Sequence, residues 1–220
     1  MTPGRCRPRA VPGKRIVVFG QSVLVGAKVV ARLATDGFDA VPASWRGACD
    51  ALRDEGLVEA LRGADVLVDV TGPPWSDHED LLAYFTISTS NLLAAARAAA
   101  VAHYVTLSVV RGDHEPVGGY LRARLAQERL VAASGLRYSI VRATQFLDYA
   151  RVVAELASVE GPVRRPPVHL QPIGSDAVVA AVARHAVGRP VDGVVEAGWA
   201  ESPHGALLPG RASYPAAAGW

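Results

Sequence analysis

Short apolar runs of strand length alternate along this chain with longer stretches whose apolar residues recur at helical spacing. Strands are predicted near residues 15–19, 38–42, 65–70, 102–107, 137–141, 168–171 and 192–196, and helices near 24–35, 55–62, 78–100, 119–134 and 175–187. Parallel neighbours in one sheet need a crossover between them, and each helical stretch supplies one. The rhythm therefore predicts an α/β fold, a doubly wound parallel sheet with helices on both faces. Ser76 with Glu79 forms a capping box ahead of the third helix. Asp176 puts a carboxylate where the start of the fifth helix favours one.

Composition sets the scale and excludes several functions. The chain has 220 residues, 50% hydrophobic and 20% charged, enough for one soluble domain with a full core, expected over residues 14–198. Residues 1–13 read as a disordered basic leader and 199–220 as a tail rich in Pro, Gly and Ala. Basic and acidic residues number 23 and 21 and are intermixed, so no nucleic-acid partner is expected. Cys6 and Cys49 lack metal-ligand spacing and are too few for a disulfide framework, which suits a reducing cytoplasm. Lys28 and Arg32 interrupt the first apolar stretch, and no span of about 20 apolar residues follows, so neither secretion nor a membrane partner is expected.

In such a sheet a ligand sits beyond the carboxyl ends of the strands, where the strand order reverses. The loops after Phe19, Pro42, Val70, Leu107 and Val141 should line one cleft. The first of them runs through Gly20, Ser22, Val23 and Gly26 into a helix. Together with Asp65-Val-Leu-Val-Asp-Val-Thr71, Leu107-Ser108, Gly119-Tyr120-Leu-Arg-Ala-Arg124 and Val141-Arg-Ala-Thr-Gln-Phe146, it resembles the NmrA-like branch of the atypical short-chain dehydrogenase/reductases. The resemblance covers roughly residues 14–198 in the right order. It implies a Rossmann-like fold and mostly NADP-linked proteins, both reductases and regulators that bind the dinucleotide without turning it over. A homodimer through the two long helices is common in the wider family, and the run Ala94 to Ala100 would permit close approach. Relatives continue past the last strand with helices that close over the substrate. Residues 199–220 give little sign of them, so an open cleft or one covered by a second copy is expected.

Against that family the cofactor side departs in three loops. Gly20 and Gly26 match the first and third glycines of the phosphate-binding pattern, whereas Val23 replaces the second, where a β-branched side chain would fill space the diphosphate uses. After the second strand only Arg46 is available to meet a 2′-phosphate. After the third strand, Thr71 precedes Gly72-Pro73-Pro74 in place of an amide side chain. If a dinucleotide is retained, its residues would be Gly20, Ser22, Gly26, Arg46 and Thr71. The expectation drawn from the three departures together is that no cofactor is bound, with NADP as the alternative.

The resemblance implies catalytic roles for Ser108, which would polarise a carbonyl, and Tyr120, which would donate its phenolic proton. The lysine expected four residues after the tyrosine is Arg124. Positions i and i+4 share a helix face, so Arg124 can reach the Tyr120 hydroxyl and stabilise negative charge there, but a guanidinium cannot relay a proton. The substrate side is assigned to Val23, Trp75, His114, Gln145, Phe146, Asp148 and Tyr149, which suit a ring-bearing small molecule; core packing serves equally for Phe146, and a solvated turn for His114. Asp77, His78, Glu79 and Asp80 occupy consecutive positions of one helix start and cannot all face an ion, so no metal is expected.

Three functions follow. The favoured one is a cofactor-free acid/base enzyme, a cyclase or isomerase acting on a polyketide-like intermediate of secondary metabolism. The alternative is an NADP-dependent reductase, and the third is a non-catalytic dinucleotide sensor.

Overall fold

A computed structural model describes residues 13–20, 25–43, 49–73, 81–110, 119–144, 146 and 173–197. Among these residues the strands are β1 (Arg15–Phe19), β2 (Asp39–Ala43), β3 (Val66–Asp69), β4 (His103–Val109), β5 (Tyr138–Ala143) and β6 (Gly193–Ala197). The helices are α1 (Gly26–Thr35), α2 (Leu57–Ala60), α3 (Leu81–Ala98), α4 (Gly119–Ala132) and α5 (Ser175–Val187). The strand predicted near 168–171 and the capping box at Ser76 and Glu79 lie outside the described residues.

All six strands are parallel, in the order β2-β1-β3-β4-β5-β6. This is the predicted Rossmann-like, doubly wound architecture, and the order reverses between β1 and β3, where Phe19 lies beside Asp69. Strands buried on both faces read as continuous apolar runs because each face packs its own helices. One core joins Ile16, Val18, Val66, Val68, Val105 and Val141 to the α1 and α5 residues Val29, Leu33, Val178 and Val182. The other joins Val17, Leu67, Tyr104 and Ile140 to Leu57 of α2, Leu92 and Ala96 of α3 and Val131 of α4. The Ala-rich end of α3 thus spends Ala95 and Ala96 on the chain's own core.

Helix α1 closes through Gly37, left-handed at φ +88, with the Phe38 amide donating to the Leu33 carbonyl at 3.0 Å. At the start of α5, Asp176 makes an exposed ion pair with Lys28 of α1 at 2.9 Å. None of the described helices is long and apolar enough to cross a membrane.

Candidate functional site

At the reversal point the chain leaves β1 through Gly20, whose φ of +95 suits glycine alone. A Cβ there would lie 2.4 Å from the Val70 carbonyl carbon and 2.5 Å from the Thr71 amide nitrogen. The first glycine is therefore required by the backbone that follows β3 as well as by its own left-handed conformation. Helix α1 then begins at the buried Gly26; among the described residues no side chain caps it, and its first turn holds no acidic residue. The amides of a helix start, entered from a strand that is followed by glycine, fit the diphosphate of a dinucleotide. Gln21–Leu24 lie outside the described residues, and with them Ser22 and Val23; so do Arg46, Trp75, His114, Gln145, Asp148 and Tyr149.

Helix α4 carries Tyr120 and Arg124 on one face, as their spacing predicts. Tyr120 is 38% exposed at the start of the helix, whereas Arg124 one turn later is buried. The Arg124 Nε donates to the Tyr120 hydroxyl oxygen at 3.0 Å. Its Nη1 donates to the Leu107 carbonyl at 3.1 Å and to Gln127 Oε1 at 2.8 Å, and its Nη2 to the Thr71 carbonyl at 3.2 Å. The guanidinium carbon lies 4.2 Å from the centre of the Phe85 ring, a cation–π contact. Phe85 in turn meets the Tyr120 ring edge-to-face at 6.0 Å. This many fixed acceptors around one planar fork suit arginine, and lysine could not serve them all from a single point charge.

Below Arg124 lies Asp69, at the end of β3 and fully buried. One of its oxygens accepts from the Thr71 amide at 3.0 Å and the Thr71 hydroxyl at 2.6 Å; the other accepts from the Tyr104 hydroxyl at 2.8 Å and Gln127 Nε2 at 3.0 Å. Burial, reinforced by the adjacent Asp69, holds the Tyr104 phenol well above its ordinary range. The neighbouring Tyr84, whose hydroxyl donates to the Gly72 carbonyl at 2.8 Å, is pushed up to about 12, first by burial and then by Asp69. Thr71, assigned above to a retained cofactor site, spends its amide and hydroxyl on Asp69 and its carbonyl on Arg124. Its polar groups face into the protein.

Ser108 near the end of β4 is 2% exposed and donates to Glu128 Oε1 of α4 at 2.7 Å. The same carboxylate takes two bonds from Arg142 of β5, at 2.8 Å from Nε and 2.6 Å from Nη2. Ser108 and Arg142 are partners in register, so both point to the α4 side of the sheet. The bonds to Glu128 raise the Arg142 pKa against the opposing effect of burial. Phe146 pairs with Ile173 across an isolated parallel bridge and packs on the α1 and α5 core.

Sequence reasoning singled out Ser108, Tyr120 and Arg124 but missed Asp69, Gln127, Glu128 and Arg142. The available signal was a charged residue inside each of two apolar strand runs, Asp69 in β3 and Arg142 in β5, where a buried charge needs partners.

Residues 46–190 match a family model described as NAD(P)H-binding. No curated protein matches the chain. Among solved structures, triphenylmethane reductase of Citrobacter sp. in complex with NADP(H) is 16% identical, over 80% of this chain and 66% of that one, with a TM-score of 0.64. The NADPH-dependent quinone oxidoreductase QOR2 of Escherichia coli is 18% identical, over 79% and 66%, with a TM-score of 0.62. MoeE5, bound to UDP-glucuronic acid and NAD, is 21% identical, over 84% and 76%, with a TM-score of 0.69. The chain thus spans just under two thirds of the length of the two reductases. At these identities the likenesses show the fold, in agreement with the NmrA-like resemblance. The family match overturns the expectation that no cofactor is bound, and with it the cofactor-free cyclase or isomerase. The three loop departures do not exclude a dinucleotide, since Gly20, Gly26 and the start of α1 still fit a diphosphate.

Proposed function

Because this chain belongs to the NAD(P)H-binding family, we propose that it is an NADPH-dependent reductase of small, ring-bearing organic acceptors, with Tyr120 as proton donor. Bound at the β1–β3 reversal, the dinucleotide would supply a hydride to an acceptor carbon. Gly20, Gly26 and the start of α1 would hold its diphosphate, and Arg46 its 2′-phosphate.

The observation that carries the proposal is the 3.0 Å bond from Arg124 Nε to the Tyr120 oxygen. Since that oxygen accepts from arginine, its own hydrogen stays available for a substrate oxygen. The fixed guanidinium charge stabilises the oxygen as the proton leaves, and the exposed edge of Tyr120 lets solvent restore it, which the arginine cannot do. The substrate class follows the two reductase neighbours, a triphenylmethane reductase and a quinone oxidoreductase.

Titration with NADPH, followed by its fluorescence, should show micromolar binding, and menadione should support NADPH oxidation. Tyr120→Phe should lower kcat by about 10²–10⁴-fold with nucleotide binding unchanged. An unchanged rate removes Tyr120 from the mechanism, and absence of NADPH binding removes the reductase.

The bond from Ser108 to Glu128 favours a second reading, a dinucleotide-binding regulator without turnover, because the serine proton is already committed. In that case NADPH binds but no acceptor drives its oxidation. In the reductase, Ser108→Ala lowers the rate only if the hydroxyl turns from Glu128 to the substrate.

A further inference from the structure

We infer that Gln127 is a positioning residue that holds Arg124 under Tyr120 by bridging the guanidinium to the buried carboxylate of Asp69. The inference rests on the reductase reading for its kinetic consequence.

Gln127 is completely buried, and both ends of its amide are occupied. Its Oε1 accepts from Arg124 Nη1 at 2.8 Å, and its Nε2 donates to Asp69 Oδ2 at 3.0 Å. Chemistry permits only this orientation, because a guanidinium has no acceptor and a carboxylate facing three other donors has none to give. The amide therefore sits with its negative end on the cation and its positive end on the anion, and it couples two buried charges that share no direct bond. Arg124 would otherwise keep the carbonyls of Leu107 and Thr71 and the Phe85 ring, contacts that satisfy the guanidinium without opposing its charge. The Nε–H, on the other side of the fork, is the one that reaches Tyr120. A planar fork pinned on its Nη side is aimed on its Nε side, so the set of the Tyr120 hydroxyl depends on a residue that never meets the substrate.

Two variants separate positioning from simple stability. Gln127→Met keeps the side-chain volume but breaks both bonds. Tyr104→Phe removes a different donor from the same Asp69 oxygen and leaves Arg124 untouched. With NADPH and menadione, Gln127→Met should lower kcat about tenfold to a hundredfold with little change in the KM for NADPH, the effect of a misaimed catalytic group. Tyr104→Phe should leave kcat unaltered. In the Tyr120→Phe background, Gln127→Met should add no further loss. Independently of turnover, hydrogen exchange of the Arg124 Nε–H, read by nitrogen-15 NMR of the unliganded protein, should quicken about threefold to tenfold in Gln127→Met and not in Tyr104→Phe.

Equal losses of kcat in the two variants, or unchanged exchange at Arg124, would overturn the inference. Wild-type protein that oxidises no NADPH would end the reductase reading, and the exchange measurement would still decide the role of Gln127. Should Gln127→Met not fold, Gln127→Asn, whose amide is one methylene too short to span both charges, is held to the same outcomes.

Discussion

The two faces of the sheet are cut from the same strands and each buries an apolar core, yet one of them also buries a connected set of charges. Toward α1 and α5, strands β1, β3, β4 and β5 present hydrocarbon, with Val18, Val68, Val105, Leu107 and Val141 against Val29, Leu33 and Val178. Toward α3 and α4, alternate residues of β3, β4 and β5 present Asp69, Tyr104, Ser108 and Arg142, answered by Arg124, Gln127 and Glu128 from α4. Burying charge is costly unless every partner is present, and an apolar interior would hold the helices equally well. The polar atoms are concentrated where the strands end at the cleft, beneath Tyr120. Both faces hold the fold together through apolar cores, and only the α4 side adds the charged set that holds Arg124.

The largest expected effect that could break this division is a truncation on the polar face. Arg124→Met leaves the carbonyls of Leu107 and Thr71 and the amide of Gln127 without a donor, and should cost about 3–5 kcal/mol in urea denaturation as well as most of the activity. Leu33→Ala on the other face should cost a comparable amount, about 2–5 kcal/mol, yet leave kcat intact. If Leu33→Ala instead lowered kcat as much as stability, the faces would not be divided in this way.

A mid-sized effect belongs to His103, which with its partner Ser139 is a polar exception on the α1 and α5 side, at the amino end of β4. Burial, aided by the Lys14 ammonium and opposed by Asp192, lowers its pKa from 6.5 to about 4. The folded protein thus holds it neutral while the unfolded chain takes up a proton below 6.5, so its contribution is present above that pH and lost as pH falls toward 4. The loss should be about 2 kcal/mol, read as the difference between wild type and His103→Gln in denaturation at pH 7 and pH 4.5. Equal pH slopes in the two proteins would contradict it. The smallest effect is Thr106→Val. Among the described residues the Thr106 hydroxyl is buried on the polar face without a partner. Its replacement should stabilise the fold by about 1 kcal/mol and leave the rate alone. A loss of activity there would mean that the hydroxyl serves the site.

How far this was legible in the sequence differs between fold and site. The strand at Arg15–Phe19 and the helix at Ser175–Val187 fall at their predicted positions, because a strand-length apolar run and an amphipathic helix are local patterns. The meeting of Tyr120 and Arg124 was equally legible, being one helical turn. Asp69 and Gln127 were not, since 58 positions separate them and nothing in either neighbourhood names the other. The three loop departures were legible as letters and misread as the loss of a cofactor. A glycine's role depends on what approaches it, and at Gly20 the nearest atoms belong to Val70 and Thr71.

The sequence by itself determined the order of strands and helices, the burial of both sheet faces and the shared helical face of Tyr120 and Arg124, all of which follow from periods of two and 3.6 residues. Tertiary structure decided which charges find each other. Asp69 reaches Gln127, Ser108 reaches Glu128, and Glu128 reaches Arg142 only when α4 packs across the ends of β3, β4 and β5. A buried charge must be satisfied within about 3 Å, and packing alone sets which side chains come that near.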